Sequence, residues 1–166
     1  MSANLSQAPS DKSRIQVGDS APDFTLPTQK TGELFHLHDM IGKSVLVLYF
    51  YPKDNTPGCT SEACSFRDSY EAFKQIGAEV IGVSSDSEES HQQFASKYKL
   101  PFTLLSDKGG ALRKRYGVPS TLGLLPGRVT YVIDKEGIVR HIFSSLMNID
   151  KHVTEALEVI RSIEQQ

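Results

Sequence analysis

The segment SVLVLYFY, residues 44–51, is the strongest constraint in the chain. It carries no charge and its apolar residues do not alternate with polar ones, so neither face of it can be turned to water. A run of this length that is apolar on both faces reads as a central strand, paired on both edges and covered on both sides. Pro52 ends it, because proline cannot continue the ladder. Thr56-Pro57-Gly58-Cys59 then has the form of a helix start: threonine is favoured at the N-cap and proline at the first helical position.

The rest of the chain supplies the cover. GDSAPDFTLPTQKTGELFHLHDM reads as short extended segments with a turn at Lys30-Thr31-Gly32. A helix is expected over 57–76, a strand over 78–86, a helix over 87–100, a short strand over 102–107 and a short helix over 110–118 that stops at Gly117 and Pro119. Residues 128–145 read as a hairpin turning at Asp134 to Gly137, and 150–164 as a helix with Val153, Ala156, Leu157, Ile160 and Ile163 on one face. The order ββ-βα-βα-βα-ββ-α predicts an α/β fold, a mixed central sheet with helices on both faces. Chemistry in such sheets sits outside the carboxyl ends of the strands, and Cys59 follows the central one.

At 166 residues the chain is read as one domain over 15–166, preceded by a flexible leader over 1–14. The leader has no hydrophobic segment of a secretory signal. A net charge of −2 gives no reason to expect nucleic acid or an anionic membrane as partner. Arg113-Lys114-Arg115 reads as a solvated face, Lys53 and Asp54 as loop surface, and the five histidines as surface residues without ligand spacing.

The chain has two cysteines, Cys59 and Cys64. Their spacing is wrong for a C-x-x-C motif and for half of a zinc site. Cys59 falls in the first turn of the expected helix, where free amide groups and the macrodipole favour a thiolate. Glu62, read as a carboxylate in that turn, opposes this. Cys59, Ala63, Phe66, Tyr70 and Phe73 form one stripe, which aims Cys59 at the sheet and the bottom of a pocket. On an ideal helix Cys59 and Cys64 lie about 8.6 Å apart at Cα, beyond the ~7 Å that a disulfide spans, so joining them requires the helix to unwind. A thiol peroxidase, a general dithiol–disulfide oxidoreductase, and a redox sensor or binding protein with inert thiols all remain open on these residues.

YPKDNTPGCTSEACSFRDSY resembles the active-site segment of the peroxiredoxins, thioredoxin-fold thiol peroxidases whose pattern P-x-x-x-T-x-x-C is met by Pro52, Thr56 and Cys59. The second cysteine five residues on is similar to the peroxiredoxin Q, or bacterioferritin comigratory protein, branch, and FRDSYEAF, LPFTLLSD and LPGRVTYVID are most like its chloroplast and cyanobacterial members. The resemblance covers residues 15 to 164 and implies a thioredoxin-like fold with an N-terminal β extension. It implies that Cys59 is the peroxidatic cysteine, Cys64 the resolving one and Cys59–Cys64 an intrachain disulfide. By the same resemblance Thr56 hydrogen-bonds thiolate and peroxide, Pro52 shields the sulfur, and Arg128 is the distant arginine beside the thiolate. It further implies reduction of hydrogen peroxide and organic hydroperoxides in antioxidant defence, with thioredoxin as reductant. No metal or organic cofactor is expected, and a monomer is. The cytosol is the expected location, with the chloroplast as the alternative if a transit peptide has been removed.

Overall fold

The computed structural model describes residues 14–121 and 125–164. The leader expected over 1–14 lies, apart from Arg14, outside the described residues. Thr25–Pro27 (β1) and Leu34–His36 (β2) pair antiparallel as a separate ribbon. The main sheet is built from Val45–Phe50 (β3), Ala78–Ser84 (β4) and Thr103–Ser106 (β5), with Val129–Ile133 (β8) and Val139–Ser144 (β9). Its order is β5-β4-β3-β8-β9: β3, β4 and β5 run parallel, β8 and β9 antiparallel. The expected thioredoxin-like, mixed architecture is what the chain adopts.

The non-alternating run explains itself here. All six residues of β3 are buried. Val45, Val47 and Tyr49 join one core with Cys59, Ala63 and Phe66 of Pro57–Asp68 (α1), Phe73 of Tyr70–Gln75 (α2), Phe94 of Glu88–Tyr98 (α3) and Ala156 and Ile160 of Ile149–Glu164 (α5). Leu46, Leu48 and Phe50 join a second core with Leu112 and Tyr116 of Ala111–Tyr116 (α4), Phe24 and Leu37. Each large apolar side chain so buried stabilises by about 1.5–3 kcal/mol.

Two expectations about the elements need correction. The helix over 57–76 is two helices. Ser69, at φ −101° and ψ 2°, leaves helical geometry between α1 and α2. Phe66 and Phe73 both reach the core across the break, with ring centroids 6.0 Å apart, while Tyr70 stays half-buried and donates its hydroxyl to Glu79. A short ribbon of Ser120–Thr121 (β6) and Leu125–Pro126 (β7), where no strand was expected, precedes β8. The final hairpin is as read: Gly137, at φ 82°, donates to the Asp134 carbonyl, and Asp134 Oδ1 accepts from the amides of Glu136 and Ile138. No helix among the described residues is long and apolar enough to cross a membrane.

Candidate active site

The site lies at the carboxyl end of β3. Tyr51 to Thr56 form a loop, and α1 starts with Thr56 in extended geometry at the N-cap and Pro57 as the first helical residue. Cys59 is the third helical residue and is 1% exposed, seated against the β3 side of the core. Arg128 reaches it from a distance of 69 residues because β8 pairs antiparallel with β3: Val129 stands opposite Phe50, which places Arg128 just past the end of β3. Its Nη2 lies 3.4 Å from Cys59 Sγ, and its Nη1 donates to Glu62 Oε1 at 2.7 Å. The guanidinium lies over the first turn of α1, and Gly58 leaves it room. A Cβ at position 58 would meet Arg128 Nη2 at 3.0 Å.

Pro52 is half-buried at the start of the loop. Thr56 holds the N-cap position without capping. Its hydroxyl donates to the Lys53 carbonyl at 2.8 Å instead of accepting from an α1 amide. Its one proton is thus engaged by Lys53, and its lone pairs are what it can offer a ligand. Cys64 is half-buried further along the unbroken α1, and both thiols are free. The structure therefore brings Cys59 and Arg128 together, sets Thr56 and Pro52 on the adjoining loop, and leaves Cys64 on a different face of the helix.

Several residues are placed otherwise than expected. Glu62 is the sixth residue of α1, beyond the first turn, and is fully buried against Arg128. It pairs with the cation that faces Cys59. Asp54 is buried, not loop surface. His91 and His152 are buried as well, whereas His36 and His38 are exposed as read. His36 ends β2, and His38 sits in the 3-10 turn that follows rather than on a strand. The missed positions had a common signal. Glu62 is four residues before Phe66, His152 four before Ala156 and eight before Ile160, and His91 three before Phe94, so each lies on a core-facing stripe.

His152 Nε2 faces the Ser145 carbonyl at 2.8 Å and Nδ1 faces the Thr130 hydroxyl at 2.7 Å. The neutral ring satisfies both, donating from Nε2 and accepting at Nδ1. Burial pushes this histidine down to about 4, with Arg128 acting in the same direction. Burial pushes the Glu62 carboxyl up to about 7, against the lowering effect of Arg128. Glu62 Oε2 has no hydrogen-bond partner among the described residues, which accords with that cost of ionisation.

These two shifts act oppositely on stability. For Glu62 the folded state binds the proton more tightly than the unfolded state, so stability falls as pH rises from about 4.5 to about 7. For His152 the unfolded state binds more protons between about 4 and 6.5, so stability rises with pH there. Glu62→Gln removes only the first. Its stability relative to the unsubstituted protein is expected to improve between pH 5 and pH 8 by up to about 3 kcal/mol, at ~1.4 kcal/mol per pH unit. Denaturant midpoints at the two pH values measure it, and a difference that does not change with pH contradicts it.

The chain matches the AhpC/TSA family over residues 17–142. It is 54% identical to the chloroplastic peroxiredoxin Q of Sedum lineare, over 90% of this chain and 80% of that protein. Among solved structures it is similar to peroxidoxin BcpB from Mycobacterium tuberculosis, at 37% identity and TM-score 0.83, covering 90% of this chain and 99% of that one. It is also similar to the Xanthomonas campestris bacterioferritin comigratory protein, described for its alkyl peroxide reduction activity. The identity there is 31% and the TM-score 0.77, covering 84% of this chain and 91% of that one.

Proposed function

The chain belongs to the AhpC/TSA family, among the peroxiredoxin Q proteins, and is a thiol-dependent peroxidase; we propose that its chemistry runs through Cys59. The observation that carries this assignment is a thiol in the first turn of a helix with Arg128 Nη2 at 3.4 Å from its sulfur. The helix-start amides and the guanidinium both stabilise a thiolate there. The thiolate attacks the terminal oxygen of a hydroperoxide. The S–O bond forms as the O–O bond breaks, leaving a sulfenic acid on Cys59 and an alkoxide or hydroxide that takes a proton to become alcohol or water.

Thr56 accepts the peroxide O–H, since its own proton is directed to Lys53. Arg128 stabilises the negative charge that moves to the departing oxygen. Pro52 screens the sulfur from water. Cys64 then attacks the sulfenic sulfur, forming the Cys59–Cys64 disulfide and releasing water, and a dithiol reductant of the thioredoxin type restores both thiols. The alkyl peroxide reduction described for the Xanthomonas campestris relative supports organic hydroperoxides as substrates beside hydrogen peroxide. The chloroplastic name of the Sedum lineare relative supports a plastid location over the cytosol. An intrachain disulfide needs no second subunit, which supports a monomer.

Stopped-flow oxidation by hydrogen peroxide tests the site. The unsubstituted protein is expected to consume peroxide far faster than free cysteine, and Arg128→Ala to lower the second-order rate constant by about 10²-fold, the scale for loss of one charge-stabilising donor. Arg128→Lys keeps a cation beside Glu62 while losing the planar fork, and is expected to fall between the two. An Arg128→Ala protein that reacts at the unsubstituted rate places Arg128 outside the chemistry. Reaction with disulfides alone would make the protein an exchange enzyme.

A further inference from the structure

The loop that carries Pro52 and Thr56 is tied down by a buried polar network that takes no part in the proposed reaction. Asp54 is 4% exposed and His91 fully buried. Asp54 Oδ1 accepts from the Tyr51 hydroxyl at 2.6 Å, and Oδ2 accepts from the Ser90 hydroxyl at 2.9 Å and faces His91 Nδ1 at 2.7 Å. The Asp54 amide donates to Asp86 Oδ2 at 2.8 Å, an oxygen that also accepts from the Ser84 hydroxyl at 2.6 Å. The facing oxygens of Asp54 and Asp86 are thus all engaged by protein donors.

His91 has acceptors at both ends: Asp54 Oδ2 at Nδ1 and the Leu105 carbonyl at Nε2, 3.0 Å away. A proton on Nδ1 donates to the carboxylate, the stronger of the two acceptors. The result is a buried bond between a residue of the loop and one of α3, which itself reaches β5 through the Leu105 carbonyl.

This network sits one residue from the backbone group that orients Thr56. The Thr56 hydroxyl is aimed by the Lys53 carbonyl, and Lys53 adjoins Asp54. Asn55, between them and Thr56, is held at φ 63°, a left-handed conformation that asparagine tolerates better than most residues. A loop bent in this way keeps its shape only if something outside it fixes it.

We propose that Asp54 and His91 form a positioning clamp, which holds the Lys53 carbonyl and through it the Thr56 hydroxyl at the peroxide position. They touch neither the sulfur nor the peroxide. The clamp also lies outside α1, so it holds the peroxide loop in place while α1 opens to bring Cys64 to Cys59. The proposal rests on Cys59 being the attacking thiol.

The test compares two reactions of Cys59 in Asp54→Asn and His91→Gln. Peroxide attack needs the positioned hydroxyl. Alkylation by iodoacetamide, followed at Cys59 by peptide mass spectrometry, needs only an accessible thiolate. Displacements of about 1 Å cost reaction rates up to ~10²-fold. The peroxide rate constant is therefore expected to fall about 10- to 100-fold, with the alkylation rate within about twofold. A general loosening would instead raise alkylation by exposing the sulfur. A drop in peroxide rate of less than about fivefold relative to alkylation overturns the proposal, as does a parallel change in both. If neither variant folds, Ser90→Ala, which removes a single bond to the same Asp54 oxygen, is read by the same ratio, with the same fivefold limit. Failure of the underlying reading looks different: Cys59→Ser would then consume peroxide at the unsubstituted rate.

Discussion

Cys59→Ser is expected to lower peroxide consumption by at least ~10³-fold, the scale on which loss of a nucleophile acts, while the fold survives. A serine hydroxyl is a far weaker acid and nucleophile than a thiol, so neither the amides nor Arg128 can make it a comparable nucleophile. The substitution is otherwise mild. Oxygen replaces sulfur at a position 1% exposed, and the hydroxyl can still accept from Arg128 Nη2, which lies 3.4 Å from the present sulfur. A stability cost near the ~1 kcal/mol typical of point substitutions follows. The measurement is peroxide consumption with excess dithiol reductant, beside a denaturant midpoint. Activity near the unsubstituted rate would move the nucleophile elsewhere, and Cys64 is the other cysteine of the chain. Lost activity together with a lost fold would leave Cys59 a packing residue, and Cys59→Ala would then separate the two, since it keeps an apolar atom in the core.

The parts of this site that could be read from the chain are those written locally. The apolar run of β3, the proline that ends it and the Thr-Pro start of α1 are consecutive, so the placement of Cys59 near a helix start at the end of a central strand followed from neighbours in sequence. Arg128 was different. It stands 69 residues from Cys59, and nothing around it distinguishes it from a surface arginine. Strand pairing brings it in, and a resemblance, not a spacing, pointed to it.

The buried polar groups were misread for a related reason. Lys53-Asp54 after a proline looks like solvated loop, and the partners that bury Asp54 come from α3 and from the end of β4. Glu62 looked like an opponent of the thiolate because its partner was invisible. With Arg128 between them, Glu62 and Cys59 share one cation, and the same glutamate orients the guanidinium that faces the sulfur. What sequence did carry was periodicity. Glu62, His91 and His152 each occupy a core-facing position of a helix, and a charged or polar residue there implies a buried partner to be found.

Cys64→Ser is expected to separate the two halves of the cycle. In the proposed reaction the first half uses Cys59, Thr56 and Arg128, none of which contacts residue 64 among the hydrogen bonds of the site. A single turnover with peroxide therefore keeps nearly its full rate. The second half needs a thiol that can reach the sulfenic acid, and α1 is unbroken between the two cysteines, with an ideal Cα separation of about 8.6 Å. Joining them requires α1 to unwind locally, a cost that formation of the covalent bond offsets. Without Cys64 there is no such offset, and the sulfenic acid stays buried against an intact helix. Turnover with thioredoxin is then expected to fall by at least ~10-fold, since an external thiol needs the same unwinding, a local opening that costs it free energy. The stranded sulfenic acid is open to a second peroxide and passes to the sulfinic form. Intact-protein mass spectrometry after peroxide reads the difference: the unsubstituted chain loses two hydrogens as the disulfide forms, whereas Cys64→Ser gains one oxygen and then a second. Normal turnover with thioredoxin would show that reductants reach Cys59 directly and that α1 need not open, and the five-residue spacing would then have no part in the reaction.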